Sequence, residues 1–291
     1  MKLSTLCFPN APPVVIIAAM AAVSLAWNGW TGISWQPVLP LLIAGSAVCF
    51  AIAAICSTIR PQHVIAEGAL YSGLWVIYPI FGARLTYLAN SLGYPLQDKT
   101  FDALDAALGF RWIDWVEFVS SHRFLEKVQG FAYESYIWQP AVSIAIFAIW
   151  GPRGRNRELL TSVLVALLAT IAISMFLPAI GPADTHGFTT PQGSIIRALR
   201  SGSATSLAYV GIVSFPSFHT VMAILFAVAH RDNWWSFPIF LILNVLMLIA
   251  IPYSGNHYLT DVIGGAVIAA CSFIGTRRLY DRGVLSAAEA A

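Results

Sequence analysis

Apolar and polar positions along this chain fall into long blocks rather than short alternations. Eight apolar stretches stand out, near 14–30, 37–59, 69–92, 136–150, 159–180, 214–229, 234–252 and 257–276. Most approach the ~20 residues that a helix needs to cross a bilayer. Only two formally charged side chains, Arg84 and Asp261, lie inside them. The pattern predicts an all-α integral membrane fold of about eight transmembrane helices. Val14–Trp30 reads as the first of these rather than a cleaved leader, because no convincing small-residue cleavage site follows it.

Two long segments between the stretches carry patterns of their own. In 93–135, Phe101, Leu104 and Leu108 recur at helical spacing, and so do Trp112, Trp115 or Val116, and Val119, while Asp102, Asp105, Asp114 and Glu117 occupy other faces. This predicts one or two interfacial helices on the outer face, with their Trp rings at headgroup level. The alternative is a small soluble cap. The second segment, 178–213, is rich in Gly, Pro, Ser and Thr and reads as irregular. The organisation expected is therefore 1–130 for the first transmembrane helices and the interfacial segment, 131–276 for a catalytic helix bundle, and 277–291 for a tail.

Composition narrows the class. Hydrophobic residues make up 58% of the 291 and charged residues 10%, against about a quarter charged in ordinary globular proteins. A water-soluble protein of this size could not be covered by so little polar surface. The net charge is +2 with no basic run beyond Arg153, Arg155 and Arg157, which argues against a nucleic-acid partner. Cys7, Cys49, Cys56 and Cys271 have neither metal nor redox spacing and read as small hydrophobes. If eight helices alternate, Lys2, Arg60, Arg153, Arg155, Arg157, Arg231, Arg277, Arg278 and Arg282 share one side. The positive-inside rule makes that side, and both termini, cytoplasmic. A bacterial inner membrane is the expected location.

Ionisable groups inside a span are costly and are functional candidates by default. His219 opens the stretch that begins Phe215-Pro216-Ser217-Phe218-His219-Thr220, and His257 and Asp261 open the last one. Pro216 suits a first helical turn, and Ser254 or Asn256 could cap the last helix. Alternation puts both starts at the outer face, where unpaired N–H groups favour an anion, phosphate above all. At i, i+4 on a helix, His257 and Asp261 share a face. The carboxylate can then hold one imidazole nitrogen as N–H and leave the other free to attack. A second His can act as the acid, with no metal or cofactor required. A proton- or ion-coupled transporter is the alternative from another class, and it predicts helices broken at matching positions in two related halves. No serine-hydrolase elbow, zinc helix or Walker loop is present in the sequence.

These residues resemble the type 2 phosphatidic acid phosphatase superfamily, nearest its inositol phosphorylceramide synthase-like branch. The resemblance rests on Phe215–Thr220 and on Asn256-His257-Tyr258-Leu259-Thr260-Asp261-Val262-Ile263-Gly264-Gly265, with weaker support from Gly181-Pro182 and Leu199–Gly202. It spans about 130–276. It implies that His257 is the nucleophile, Asp261 its partner and His219 the acid for the leaving oxygen. The implied substrate is a lipid phosphate ester drawn from the bilayer. The implied acceptor is water, or a lipid or ceramide alcohol in a headgroup transferase. The phosphatases' cations are missing from their usual places. No Lys or Arg occurs between 159 and 196, and Ala250 and Ile251 stand where a Ser-Arg pair would precede the nucleophile. Arg200, then Arg197, then Arg84 are the candidates for holding phosphate, with Ser217 beside them.

Overall fold

The computed structural model describes residues 11–31, 39–152, 154–204 and 211–282. The expectations for Lys2, Cys7, Arg153 and most of the 277–291 tail lie outside the described residues. Among the described residues the chain is helical throughout, with no strand. Each of the eight apolar stretches forms a helix: α1 (Ala11–Thr31), α2 (Leu39–Thr58), α3 (His63–Ser91), α7 (Gln139–Trp150), α8 (Arg155–Phe176), α11 (Phe218–Ala229), α12 (Ser236–Ser254) and α13 (Leu259–Asp281). Five of them, α2, α3, α8, α12 and α13, are long and apolar enough to cross a membrane; α1, α7 and α11 are shorter apolar helices.

The shortness of α11 has a visible cause. At 1.5 Å per residue its 12 residues span only about 18 Å. The preceding segment, 211–217, enters the bundle without helical structure, and Ile212, Ser214 and Ser217 are buried in it. Non-helical backbone at such depth is tolerated only where the protein satisfies its polar groups. Here the Ile212 N–H donates to Thr86 Oγ1 on α3 (3.2 Å) and the Ser217 N–H to the Asp261 carbonyl on α13 (3.0 Å). Pro216 therefore precedes the helix instead of lying in its first turn, and Ser217 is the N-cap, accepting the Thr220 N–H.

The helices α3, α7, α8, α11, α12 and α13 share one core, in which Trp75 stacks on Phe226 at 5.7 Å. Polar groups inside it are paired. Gln139 and Asn244 exchange two amide hydrogen bonds between α7 and α12, at 3.1 and 2.9 Å. His230 lies between Ser143 and Ser236 hydroxyls and stacks on Phe240. At that end of the bundle, Arg155 pairs with Asp232 and Glu158, and Arg231 with Glu158 at 2.8 Å.

The 98–134 region folds as three short helices, α4 (Asp98–Ala107), α5 (Trp112–Ser121) and α6 (Arg123–Glu134). They pack at the other end of the bundle, α4 on α13, and α5 and α6 on α12. The buried stripe of α4 differs from the expected one: it is Phe101 and Asp105, while Leu104 and Leu108 stay exposed. Trp112 also turns inward, and its indole N–H donates to the Pro252 carbonyl at 2.8 Å. The 178–213 segment contains two helices where none was expected, α9 (Pro182–Thr185) and α10 (Pro191–Arg200). The signal for α10 was Thr190-Pro191: Thr190 caps the Gly193 N–H, and Pro191 occupies the first helical position.

Candidate active site

His257 and Asp261 meet, though not by sharing a helical face. Helix α13 begins only at Leu259, with Tyr258 as its N-cap residue. Asp261 is the third helical residue, and its carboxylate folds back over the helix start. There Asp261 Oδ2 accepts from the Tyr258 N–H (3.0 Å), from the Ser214 hydroxyl (2.8 Å) and from His257 Nδ1 (3.0 Å). A carboxylate oxygen engaged in this way accepts, so His257 carries its proton on Nδ1 and presents Nε2 with a lone pair. Both side chains are buried, Asp261 completely and His257 to within 3%.

His219, in the first turn of α11, faces this pair. The two imidazole centroids are 5.9 Å apart with the rings inclined at 66°. Tyr133, from α6, holds its hydroxyl 3.1 Å from His219 Nε2 and 3.3 Å from Nδ1, and the Tyr136 ring approaches edge-on at 4.9 Å. Close approach of α13 to α11 depends on Gly265. A Cβ there would run into the Ser217 carbonyl oxygen and lie 2.8 Å from Thr220 Cβ. Gly181, at φ +126°, gives similar access to Asn256, whose Oδ1 accepts the Ala183 N–H at 2.8 Å.

The start of α13 is already capped, and neither Ser254 nor Asn256 supplies the cap. Asp105, reaching in from α4, accepts the Leu259 N–H (2.7 Å), the Thr260 N–H (2.8 Å) and the Thr260 hydroxyl (2.6 Å). One turn-pair earlier on the same face, Asp98 accepts the Gly181 N–H (2.9 Å), the Ile180 N–H (3.0 Å) and the Tyr258 hydroxyl (3.2 Å). Burial pushes both carboxyls above their ordinary value, against the pull of these donors, and the nearby Asp261 charge adds to the rise. Two N–H groups that a bare helix start would offer to a phosphate therefore belong to Asp105. The start of α11 has only its Ser217 cap, and no carboxylate bonds to it among the described residues.

Arg197 is half exposed and pairs with Asp184. Arg200 Nη2 donates to the carbonyls of Tyr94 (2.7 Å) and Gly93 (3.2 Å), tying α10 to the end of α3. Arg84 is 2% exposed on α3, half a turn from Thr86. Thr86 binds Ile212, and Ser214, two residues further on, binds Asp261. That connection covers at most about 7 Å of chain. Asp98, Asp105, Ser214, Tyr133 and Tyr136 were not among the expected site residues. Asp98, Phe101 and Asp105 stand at i, i+3 and i+7, so one helical face carries both acids beside its buried aromatic ring, and that stripe was readable. Among the described residues, no group of three or more His, Cys, Asp or Glu side chains is arranged to hold a metal ion.

Comparison with known proteins adds one finding. Neither the curated proteins nor the solved structures include a match to this chain. A family model described as the PAP2 superfamily matches residues 99–275, from the first turn of α4 to near the end of α13. With that match covering well over half its length, the chain belongs to the PAP2 superfamily, which generally hydrolyses or transfers phosphate esters.

Proposed function

We propose that this protein is an integral membrane lipid phosphatase or phosphotransferase acting through a phosphohistidine at His257. The observation that carries the reading is the Asp261–His257–His219 arrangement, one imidazole oriented by a buried carboxylate and a second facing it. His257 Nε2 attacks phosphorus as the bond to the leaving oxygen breaks. His219 gives that oxygen a proton and becomes a base. It then takes a proton from the incoming water or alcohol, whose oxygen displaces His257 from phosphorus. Asp261 holds the imidazolium character that His257 gains in the first step. No metal enters these steps. The missing phosphatase cations, with no Lys or Arg between 159 and 196 and with Ala250 and Ile251 in place of a Ser-Arg pair, favour an alcohol over water as acceptor, hence a headgroup transferase of the inositol phosphorylceramide synthase type.

The phosphate charge needs a cation, and the α13 start is taken up by Asp105. We assign the phosphate first to Arg84, because it is buried on α3 two residues before Thr86, which leads through Ile212 and Ser214 to Asp261, and to the start of α11 with Ser217; a guanidinium suits two-pronged contact with an oxyanion. Arg84→Gln is expected to lower kcat/KM about 100-fold, with Arg84→Lys intermediate and Arg197→Gln within about tenfold of wild type. Equal losses in Arg84→Gln and Arg197→Gln would remove Arg84 from this role.

The membrane reading is that all eight apolar helices cross the bilayer, with α4–α6 at the outer interface. Support comes from Arg155, Arg157, Arg231, Arg277 and Arg278 at the end away from His257, which the positive-inside rule makes cytoplasmic. Exposed Phe124 and Phe131 on α6 suit an interfacial position. The transporter reading is disfavoured. It needs paired interruptions, and the non-helical entry at 211–217 has no counterpart in α2 or α3, which run unbroken.

The deciding assay uses purified protein in detergent with EDTA present and a radiolabelled lipid phosphate. Phosphate should be released, or passed to an added lipid alcohol, and a brief acid-free quench should trap label on histidine. A strict requirement for added divalent metal, or label on no residue during turnover, would overturn the reading.

A further inference from the structure

Asp105 is spent in an unusual place. It lies on α4, 154 residues before Leu259, and is 2% exposed, yet its carboxylate closes the start of the helix that carries Asp261. Its two oxygens divide the work: Oδ2 takes the Leu259 N–H, and Oδ1 takes the Thr260 N–H and hydroxyl. Leu259 and Thr260 are the two residues between Tyr258, whose N–H binds Asp261, and Asp261 itself. Whatever fixes those two peptide groups fixes the separation and angle of His257 and Asp261. No side chain within α13 or its preceding turn does so, because the ordinary N-cap position is held by Tyr258.

We propose that Asp105 is a positioning residue for phosphoryl transfer, holding Leu259 and Thr260 from α4 so that His257 stays aimed by Asp261. The proposal rests on the reading of His257 as nucleophile.

The test measures steady-state kinetics of the full chain in detergent. Asp105→Asn should lower kcat about 30-fold or more with KM changed less than threefold. Trp112→Phe is the matched control, since it loses one bond from α5 to Pro252 on α12 and leaves α13 untouched. It should melt about 2–4 °C lower while keeping kcat within threefold. If Asp105→Asn does not yield folded protein, Leu259→Pro decides. Proline suits the first helical position, and extended Tyr258 suits the residue before it, so this variant removes one donor to Asp105 and keeps the charge. Its kcat should fall at least fivefold with KM changed less than threefold. An Asp105→Asn enzyme with wild-type kcat, or a Leu259→Pro enzyme with wild-type kcat, overturns the proposal. Residual turnover in His257→Ala would instead count against the underlying reading.

Discussion

Changing His257 to alanine should remove phosphoryl transfer altogether, a loss of about 10⁴-fold or more in kcat, while the protein remains folded in detergent. Folding should survive because the change leaves Asp261 with its two other donors, Ser214 and Tyr258. His219→Ala should cost about 10²–10⁴-fold, since it removes only the proton donor. A substrate with a better leaving group should recover part of that loss in His219→Ala and none of it in His257→Ala. Asp261→Asn should fall near the His257 variant, because an amide facing Nδ1 can reverse the tautomer and turn the proton toward phosphorus. The double variant His257→Ala/Asp261→Asn should be no worse than His257→Ala alone. Strong additivity would mean that Asp261 acts on something other than His257.

The second large effect is structural. Gly265→Val should separate α13 from α11 and abolish activity without touching a reacting group. The site of the first added carbon is already filled by the Ser217 carbonyl and by Thr220, both backbone-bound parts of the α11 start. They cannot swing away as a flexible side chain would. Even Gly265→Ala should cost about 1–3 kcal/mol of stability and lower kcat, because relief requires the two His-bearing starts to move apart. Gly275, further along α13, has open space around the same position, and Gly275→Ala should melt and turn over like wild type. Thermal melting and kcat measured on the three variants check this. Wild-type kcat in Gly265→Ala would show that the two starts need not be so close.

The helices were legible because apolar runs near 20 residues have few other folds available, and each became a helix. The meeting of His257, Asp261 and His219 was also legible, although by a different local route. The i, i+4 spacing suggested one helical face, and the contact comes instead from Asp261 folding back over the helix start. The remaining site contacts join residues far apart along the chain. Ser214 reaches Asp261 across 47 residues, and Tyr133 reaches His219 across 86. A hydroxyl in an apolar stretch looks the same whether it bonds its own helix or a distant carboxylate. Asp105 is hidden in the sequence for a further reason. A carboxylate on a short amphipathic helix is ordinarily solvated, and here a helix start with unpaired N–H groups made burial favourable.

That single carboxylate also bears on how the chain can be divided. Cutting between residues 130 and 131 would part the N-terminal helices from the sequence motifs, and it would run through α6 just before Tyr133. The bundle would then lose the cap on α13, the Asp98 hold on Ile180 and Gly181, and the Thr86 support beneath Ile212. A fragment starting there should not act alone. The same fragment co-expressed with residues 1–130 should recover activity only as far as the two pieces bind each other. The unit of inheritance for this site is therefore longer than its motifs, because its nucleophile is kept in place by residues that precede it by more than 150 positions.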